Sequence, residues 1–317
     1  MRVAVLKGGR SLERQVSLRS GARVQDALER VGHEVISIDV GPDLVEQLEA
    51  VAPEAAFIAL HGRDGEDGTV QELLEVMGIP YTGSGVSACI RAADKVLTKH
   101  AMRDRGIPTP DFYAFSETAF EALGAARALP AVEDRLRFPI VVKPASQGSA
   151  LGIKFARTAA DVPQALVAAF SYDRKVLLER YVPGRDLAVS IIDRDGGAEA
   201  LPIVEAVPQQ EDFYDFESRY EIGRTKFVCP AELDPDLAER ASEIALAVYA
   251  LLGCSGFARV DMMLEAGTDE LYALEADTVP GLTETSLLPQ AADAVGIDFD
   301  ELIDRIVEAA LGRAPLR

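Results

Sequence analysis

A chain of 317 residues is longer than one compact core usually grows, so two or three lobes are expected. Hydrophobic residues at 48% and charged residues at 26% suit a globular enzyme, and no apolar run is long enough to span a membrane. A formal net charge of −20 disfavours nucleic acid as a partner, and any bound anion must meet locally concentrated positive charge or metal ions. Cys89, Cys229 and Cys254 have no paired spacing, which argues against a disulfide framework or a zinc knuckle and for a reducing compartment. The apolar run Val3 to Leu6 stops at Lys7 and two glycines, so no signal peptide is read there and a cytoplasmic protein is expected.

In chain order, residues 2–6 read as a short buried strand ending at Gly8-Gly9. A helical pattern runs from about Val16 to Val31 and stops at Gly32, followed by a strand at 34–40, a helix near 43–51 and a strand at 55–60. This alternation implies a parallel sheet with crossover helices, whose ligands gather at the carboxyl ends of strands, where Gly8-Gly9 and His61-Gly62 lie. Glycines and prolines at 79–85 and 107–110 mark the first boundary. A second segment opens near Lys95 with a helix, then the strand 138–143, the loop 146–152, a returning strand at 153–155 and another at 175–182. The third holds strands at 187–192 and 200–207, then a long polar-aromatic stretch, 208–227. Asp234-Pro235 starts a helix, with Asp as N-cap and Pro at the first helical position. That helix carries Leu237, Ala241, Ile244, Val248 and Leu251 on one face and ends at Gly253; strands at 257–264 and 270–277 and two helices complete the chain. The class is α/β, in three parts: 1–94, 95–183 and 184–317.

Four constellations carry chemistry. Glu275 and Asp277 are two apart on a strand, so they share a face, and Asp261 lies on the strand before. A solvated sheet edge explains the Glu-x-Asp pair equally well; Asp261 and a phosphate-type loop tip the reading toward a hard divalent cation such as magnesium. That loop is Ser146-Gln147-Gly148-Ser149-Ala150-Leu151-Gly152, behind the strand-terminal Lys143; it is not a Walker loop, and a plain hairpin is its ordinary alternative. The stretch from Gly8 to Arg14 reads first as a tight turn with Ser11 capping a helix. His61, in a run from His61 to Gly68, stands at a strand end among polar residues rather than on an apolar face.

The motifs 8–21, 61–75, 80–95, 141–153, 212–220, 256–264 and 275–289, in this order, resemble the D-alanine–D-alanine ligases of the ATP-grasp superfamily over nearly the whole length. The resemblance implies an ATP-grasp fold: an N-terminal parallel-sheet (Rossmann-like) domain followed by two α+β lobes that clasp ATP. It implies ligation of two D-alanines through an acyl phosphate, for peptidoglycan synthesis, by a homodimer. Lys95, Lys143 and Arg219 are then expected at ATP. Glu179, Tyr181 and Val182 are expected at the adenine, with Phe213 against the base and Asp186 at the ribose. Asp261, Glu275 and Asp277 would hold two magnesium ions, or manganese in their place. Glu13 would take the ammonium of the first D-alanine near His61, with Ser149 and Tyr220 as its hydrogen-bonding partners. Arg259 and the Gly281 N–H would stabilise the oxyanion, and Ser286 and Leu287 would hold the second carboxylate. The stretch 208–227 would be a lid, with an ordinary surface excursion as the alternative.

Three positions depart from the family pattern: Asp277 replaces an asparagine, Ala150 a serine and Arg219 a lysine. Asp277 and Ala150 keep open an ATP-binding homologue with weakened catalysis; a related ATP-grasp ligase with another amino-acid substrate is a separate alternative.

Overall fold

The computed structural model describes residues 1–194, 197–209 and 223–311. Strand β1 (Arg2–Lys7) is apolar from Val3 to Leu6, all fully buried, as a strand covered on both faces must be. It is the centre of a parallel sheet ordered β2-β1-β3, with β2 at Glu34–Asp39 and β3 at Ala55–Ile58. The crossovers are α1 (Arg14–Arg30) and α2 (Leu44–Val51). Val24, Ala27 and Leu28 of α1 cover Val3, Val5 and Phe57 on one face. Leu44 and Leu48 of α2 join Leu74 of α3 (Thr69–Met77) over Ala4, Leu6 and Ile58 on the other.

Helix α1 begins earlier than its apolar periodicity suggests, and Ser11 is not its cap. Glu13 occupies the cap position without a side-chain cap bond, while Ser11 Oγ donates to the His61 carbonyl at 2.6 Å and accepts the Glu13 N–H at 3.1 Å. The hydroxyl thus ties two functional loops together instead of closing a helix end.

Helices α4 (Val86–Ala93) and α5 (Lys95–Asp104) lead into an antiparallel sheet of β4 (Phe112–Ser116), β5 (Ile140–Pro144), β6 (Lys154–Ala156) and β7 (Lys175–Arg180), ordered β4-β7-β5-β6. Its apolar face is covered by helices, after the short α6 (Glu117–Ala122), by α7 (Leu129–Leu136) and α8 (Val162–Phe170). Asp94 caps α5, its carboxylate accepting the Val96 and Leu97 N–H groups.

The third sheet runs β11-β10-β8-β12-β13 with β9 against β8, all antiparallel. Its strands are β8 (Gly184–Arg194), β9 (Gly197–Ala200), β10 (Val204–Pro208), β11 (Thr225–Val228), β12 (Phe257–Glu265) and β13 (Leu271–Asp277). The single strand expected over 200–207 is two: β9 ends at Ala200 and β10 begins at Val204, with Pro202, which has no N–H for a ladder, between them. Helix α9 (Pro235–Leu252) starts as its sequence dictates, Asp234 accepting the Asp236 N–H, and ends at Gly253 with φ 73°. Leu237, Ala241 and Val248 are buried against Val189, Ile191 and Val260, with Ile244 and Leu251 at the fringe.

Two features tie the parts together. The last helices, α10 (Leu287–Asp293) and α11 (Phe299–Leu311), return to the first sheet. Leu302, Ile303, Ile306 and Val307 share one core with Val3, Val5 and Phe57, and with Ile192 and Val204 of the third sheet. Helix α5 serves two cores: Met102 packs with the third sheet, Val96 with Phe112 and Leu177 of the second. Of the stretch read as a lid, residues 210–222 lie outside the described residues, and with them Phe213, Arg219 and Tyr220. Its flanks are paired, Pro208 opposite Thr225.

Candidate active site

A cavity of about 330 Å³ is lined by the loop before α1, the loops after β3 and β5, the start of α5, strands β12 and β13, and the segment leading to α10. It gathers ten residues singled out from sequence. Glu13, His61, Lys95, Ser149, Arg259 and Glu275 line it, as do Asp277, Gly281, Ser286 and Leu287. Lys143, Glu179, Tyr181, Val182, Asp186 and Asp261 are not in its wall.

Glu13 is buried at the centre of one side. Ser149 Oγ donates to its Oε1, while Oε2 has no partner among the described residues. Burial, then the charge of Glu66, pushes the carboxyl up to about 7. The backbone closes round it: a Cβ on Gly62, at φ 72°, would stand 2.3 Å from Oε2. Ser149 and Ala150 take left-handed φ of 50° and 59°, which L side chains seldom adopt, and this bend turns the Ser149 hydroxyl inward. An orphaned buried acceptor beside a hydroxyl is a receptor for a cationic donor.

His61 lines the same side, but both its nitrogens are engaged. Nδ1 lies 3.0 Å from the Val279 carbonyl, which can only accept, so Nδ1 carries the proton. Nε2 then accepts from Ser20 Oγ at 2.9 Å, and Ser20 in turn accepts the Leu282 N–H at 3.2 Å. Burial lowers the imidazole pKa and keeps it neutral. His61 therefore clamps the segment that carries Gly281. A Cβ on Gly281 would meet Ser286 Oγ at 2.7 Å, so the glycine lets the backbone come up to Ser286, whose hydroxyl accepts the Thr283 N–H at 2.9 Å.

The opposite side is charged. Lys95 Nζ donates to the Gln147 carbonyl at 2.9 Å and pairs with Glu275 Oε2 at 3.1 Å. Burial alone would favour the neutral amine, but Glu275 outweighs it and raises the pKa. Arg259 forks onto Asp261, Nε at 2.6 Å and Nη2 at 2.9 Å, and its Nη1 reaches Asp277 Oδ2 at 3.3 Å. Register explains the set: Arg259 lies opposite Asp277 and Asp261 opposite Glu275. Asp261 was expected at a metal with the other two; here its carboxylate is taken by Arg259, and Glu275 and Asp277 are the pair that faces the cavity.

Lys143 and Glu179 are expected around ATP, yet they bind each other. Glu179 is buried between two lysines, Lys143 at 2.7 Å on Oε1 and Lys99 at 2.6 Å on Oε2. Burial would raise its pKa, but the two ammoniums lower it. Tyr181, edge-on to Phe155 with ring centroids 5.5 Å apart, and the buried Val182 follow directly between β7 and β8, and Asp186 lies on β8.

Lys99, Ser20 and Glu66 were not foreseen. Lys99 stands one helical turn after Lys95, a spacing that was legible; Ser20 is an ordinary helix residue until folding brings His61 to it. Glu66 sits in the run from His61 to Gly68. Burial, then Asp277, pushes it up to about 8.

One parallel sheet followed by two antiparallel α+β sheets, with acids and lysines gathered between them, is the ATP-grasp architecture. The solved D-alanine–D-alanine ligase of Bacillus anthracis in complex with ATP matches with a TM-score of 0.82 at 36% identity, covering 98% of this chain and 97% of that one. The ligase structure from Coxiella burnetii, 24% identical with a TM-score of 0.80, shares the fold. Family models for the D-ala D-ala ligase N-terminus and C-terminus match residues 43–84 and 101–308. The D-alanine–D-alanine ligase of Syntrophotalea carbinolica is 46% identical over 98% of this chain and 96% of its own length. That of Bordetella avium is 43% identical over 100% and 97%. The chain belongs to the D-alanine–D-alanine ligase family.

Proposed function

We infer that this chain joins two D-alanines into D-alanyl-D-alanine, with ATP converted to ADP and phosphate, and so supplies the dipeptide of peptidoglycan. Two observations support it together: family membership over the full length, and one cavity that sets an orphaned carboxylate opposite a lysine, an arginine and a glycine-backed loop.

The chemistry follows from charge. Glu13, with Ser149 beside it, receives the ammonium of the first D-alanine, and that cation restores the ionised carboxylate that burial disfavours. Lys95 and Lys143 neutralise the phosphates, so the substrate carboxylate can attack the terminal phosphorus and form an acyl phosphate. The second D-alanine, its carboxylate held by Ser286 and the Leu287 backbone, attacks the acyl carbon. Arg259 and the Gly281 N–H stabilise the oxyanion before phosphate leaves. Tyr181, Val182, Asp186 and Glu179 belong to the nucleotide side. The parts of Phe213 and Arg219 at the nucleotide, of Tyr220 with Ser149, and of 208–227 as a lid that would exclude water from the acyl phosphate are carried by the family alone.

The donor set fits magnesium. Among the described residues no group of three or more His, Cys, Asp or Glu could hold a metal by protein alone, and magnesium ordinarily completes one or two carboxylates with phosphate oxygens. Glu275 and Asp277 offer such a pair, and a cation there would relieve the charge of Asp277, which adds to burial in raising Glu66. When bound, the metal neutralises phosphate charge. Two ions, Asp261 as a further ligand once Arg259 turns to substrate, a homodimer and a cytoplasmic location are parts of this reading carried by the family. No helix among the described residues is long and apolar enough to cross a membrane.

An ADP-release assay with D-alanine, with mass detection of the dipeptide, tests it. Release with another D- or L-amino acid and none with D-alanine would move the reading to a related ligase; ATP binding without any release would make the chain a catalytically weakened homologue. Arg259→Met is expected to lower kcat by roughly 100-fold or more with the KM for ATP nearly unchanged. A raised KM for ATP with unchanged kcat would overturn the role given to Arg259.

A further inference from the structure

Among the described residues Lys99 is the one lysine whose side chain is completely buried, and the proposed reaction gives it no part. It lies on α5 one turn beyond Lys95, and its ammonium pairs with Glu179 Oε2 at 2.6 Å and donates to Thr109 Oγ1. The Phe112 ring centroid is 5.3 Å away. Glu179 reaches it from β7, while its other oxygen holds Lys143, from the neighbouring strand β5, at 2.7 Å. Two buried cations thus share one buried anion. Two ammoniums on one carboxylate leave the cluster with a surplus of positive charge, and burial, with the Lys143 charge and against the pull of Glu179, lowers Lys99 to about 8.

We propose that Lys99 is a positioning residue for ATP: it retains Glu179 when Lys143 leaves that carboxylate for a nucleotide phosphate. This rests on the reading that Lys143 binds phosphate. The reason is charge balance. If Lys143 and Glu179 were an isolated pair, drawing Lys143 onto phosphate would strand a buried carboxylate, a strongly unfavourable outcome. With Lys99 in place the exchange runs from one anion between two cations to two separate neutral pairs, Lys99 with Glu179 and Lys143 with phosphate. Nothing buried is left uncompensated. The surplus positive charge of the free protein then contributes to attracting the nucleotide instead of being a structural defect. Thr109 and Phe112 hold the Lys99 ammonium in place while its partner's other oxygen is vacated.

Steady-state kinetics on the full chain separates this from a packing role. Lys99→Met is expected to raise the KM for ATP about tenfold or more, with the KM for D-alanine little changed. Lys99→Arg, which keeps the charge, should recover part of that loss. The decisive variant is the double substitution Lys99→Met with Glu179→Gln. Removing the carboxylate that would be stranded should bring the KM for ATP back toward that of Glu179→Gln alone, a thermal melt confirming that each variant is folded. A double variant at least as impaired as the sum of the two single losses would overturn the proposal, as would Lys99→Met that melts normally and keeps its KM for ATP. Lys143→Met distinguishes the two layers. If it leaves the KM for ATP unchanged, the phosphate role of Lys143 itself fails; if it raises the KM while Lys99→Met does not, only the role of Lys99 fails.

Discussion

Glu13 illustrates how a single residue is tuned by what surrounds it. Its carboxyl lies above the ordinary carboxylate range, at about 7, because it is buried, with the charge of Glu66 adding to the effect. A carboxyl whose pKa is higher folded than unfolded holds its proton more firmly in the folded state. Its contribution to stability is therefore fully present below the unfolded value and is lost as pH rises through about 7. Glu13→Gln should accordingly melt like the parent near pH 4 and melt higher by roughly 2 °C or more above pH 7, in the absence of substrate. The same variant should raise the KM for D-alanine, since an amide cannot supply the charge an ammonium needs. Differential scanning calorimetry at the two pH values checks the first outcome, and a melting gain confined to low pH would contradict it. His61 makes the complementary point. The resemblance sets it near Glu13 at the first D-alanine, and it does line the cavity; its two nitrogens are bonded to the Val279 carbonyl and Ser20, so that it also holds the Gly281 segment.

At the scale of elements, local chemistry decides ends and tertiary contacts decide partners. Helix α9 is fully written in its own residues: Asp234 caps, Pro235 starts, Gly253 stops and a regular apolar stripe packs on the sheet. Asp234→Ala should cost about 1 kcal/mol in denaturant unfolding and leave kcat unchanged, since the helix end is remote from the cavity lining. Helix α1 is the contrary case. Ser11 has the composition of a cap and does not cap, because His61 offers its hydroxyl a backbone acceptor from 50 positions along the chain. The strand expected over 200–207 fails at Pro202 for a local reason that was already in the sequence. Asp261, Glu275 and Asp277 stand as neighbours through the pairing of β12 with β13, yet which of them faces the cavity depends on where the Arg259 guanidinium lies.

At the scale of the whole molecule, the ends of the chain build one core. Ile303 is fully buried in a cluster that joins the first sheet, the third sheet and the last helix. Ile303→Ala should destabilise the protein by about 2–5 kcal/mol. It should do so in a single transition, with signals from the first sheet and from α9 melting together; separate transitions would mean that the first sheet folds without α11. The acidic balance of the chain belongs to this scale too. A net charge of −20 is compatible with a triphosphate only because Lys95, Lys99, Lys143 and Arg259 are drawn inward while most acids stay outside.

The sequence by itself determined the periodic elements, their α/β order, the glycine and proline boundaries and, through its ordered motifs, the family, because each of these depends on residues close together in the chain. Tertiary structure alone decided that Lys143 rests on Glu179 with Lys99 behind it, that His61 is a clamp, and that α11 closes the first sheet. Those outcomes rest on which buried charge or hydrogen-bonding group finds its complement, and the complements come from distant strands and helices that only folding brings within reach.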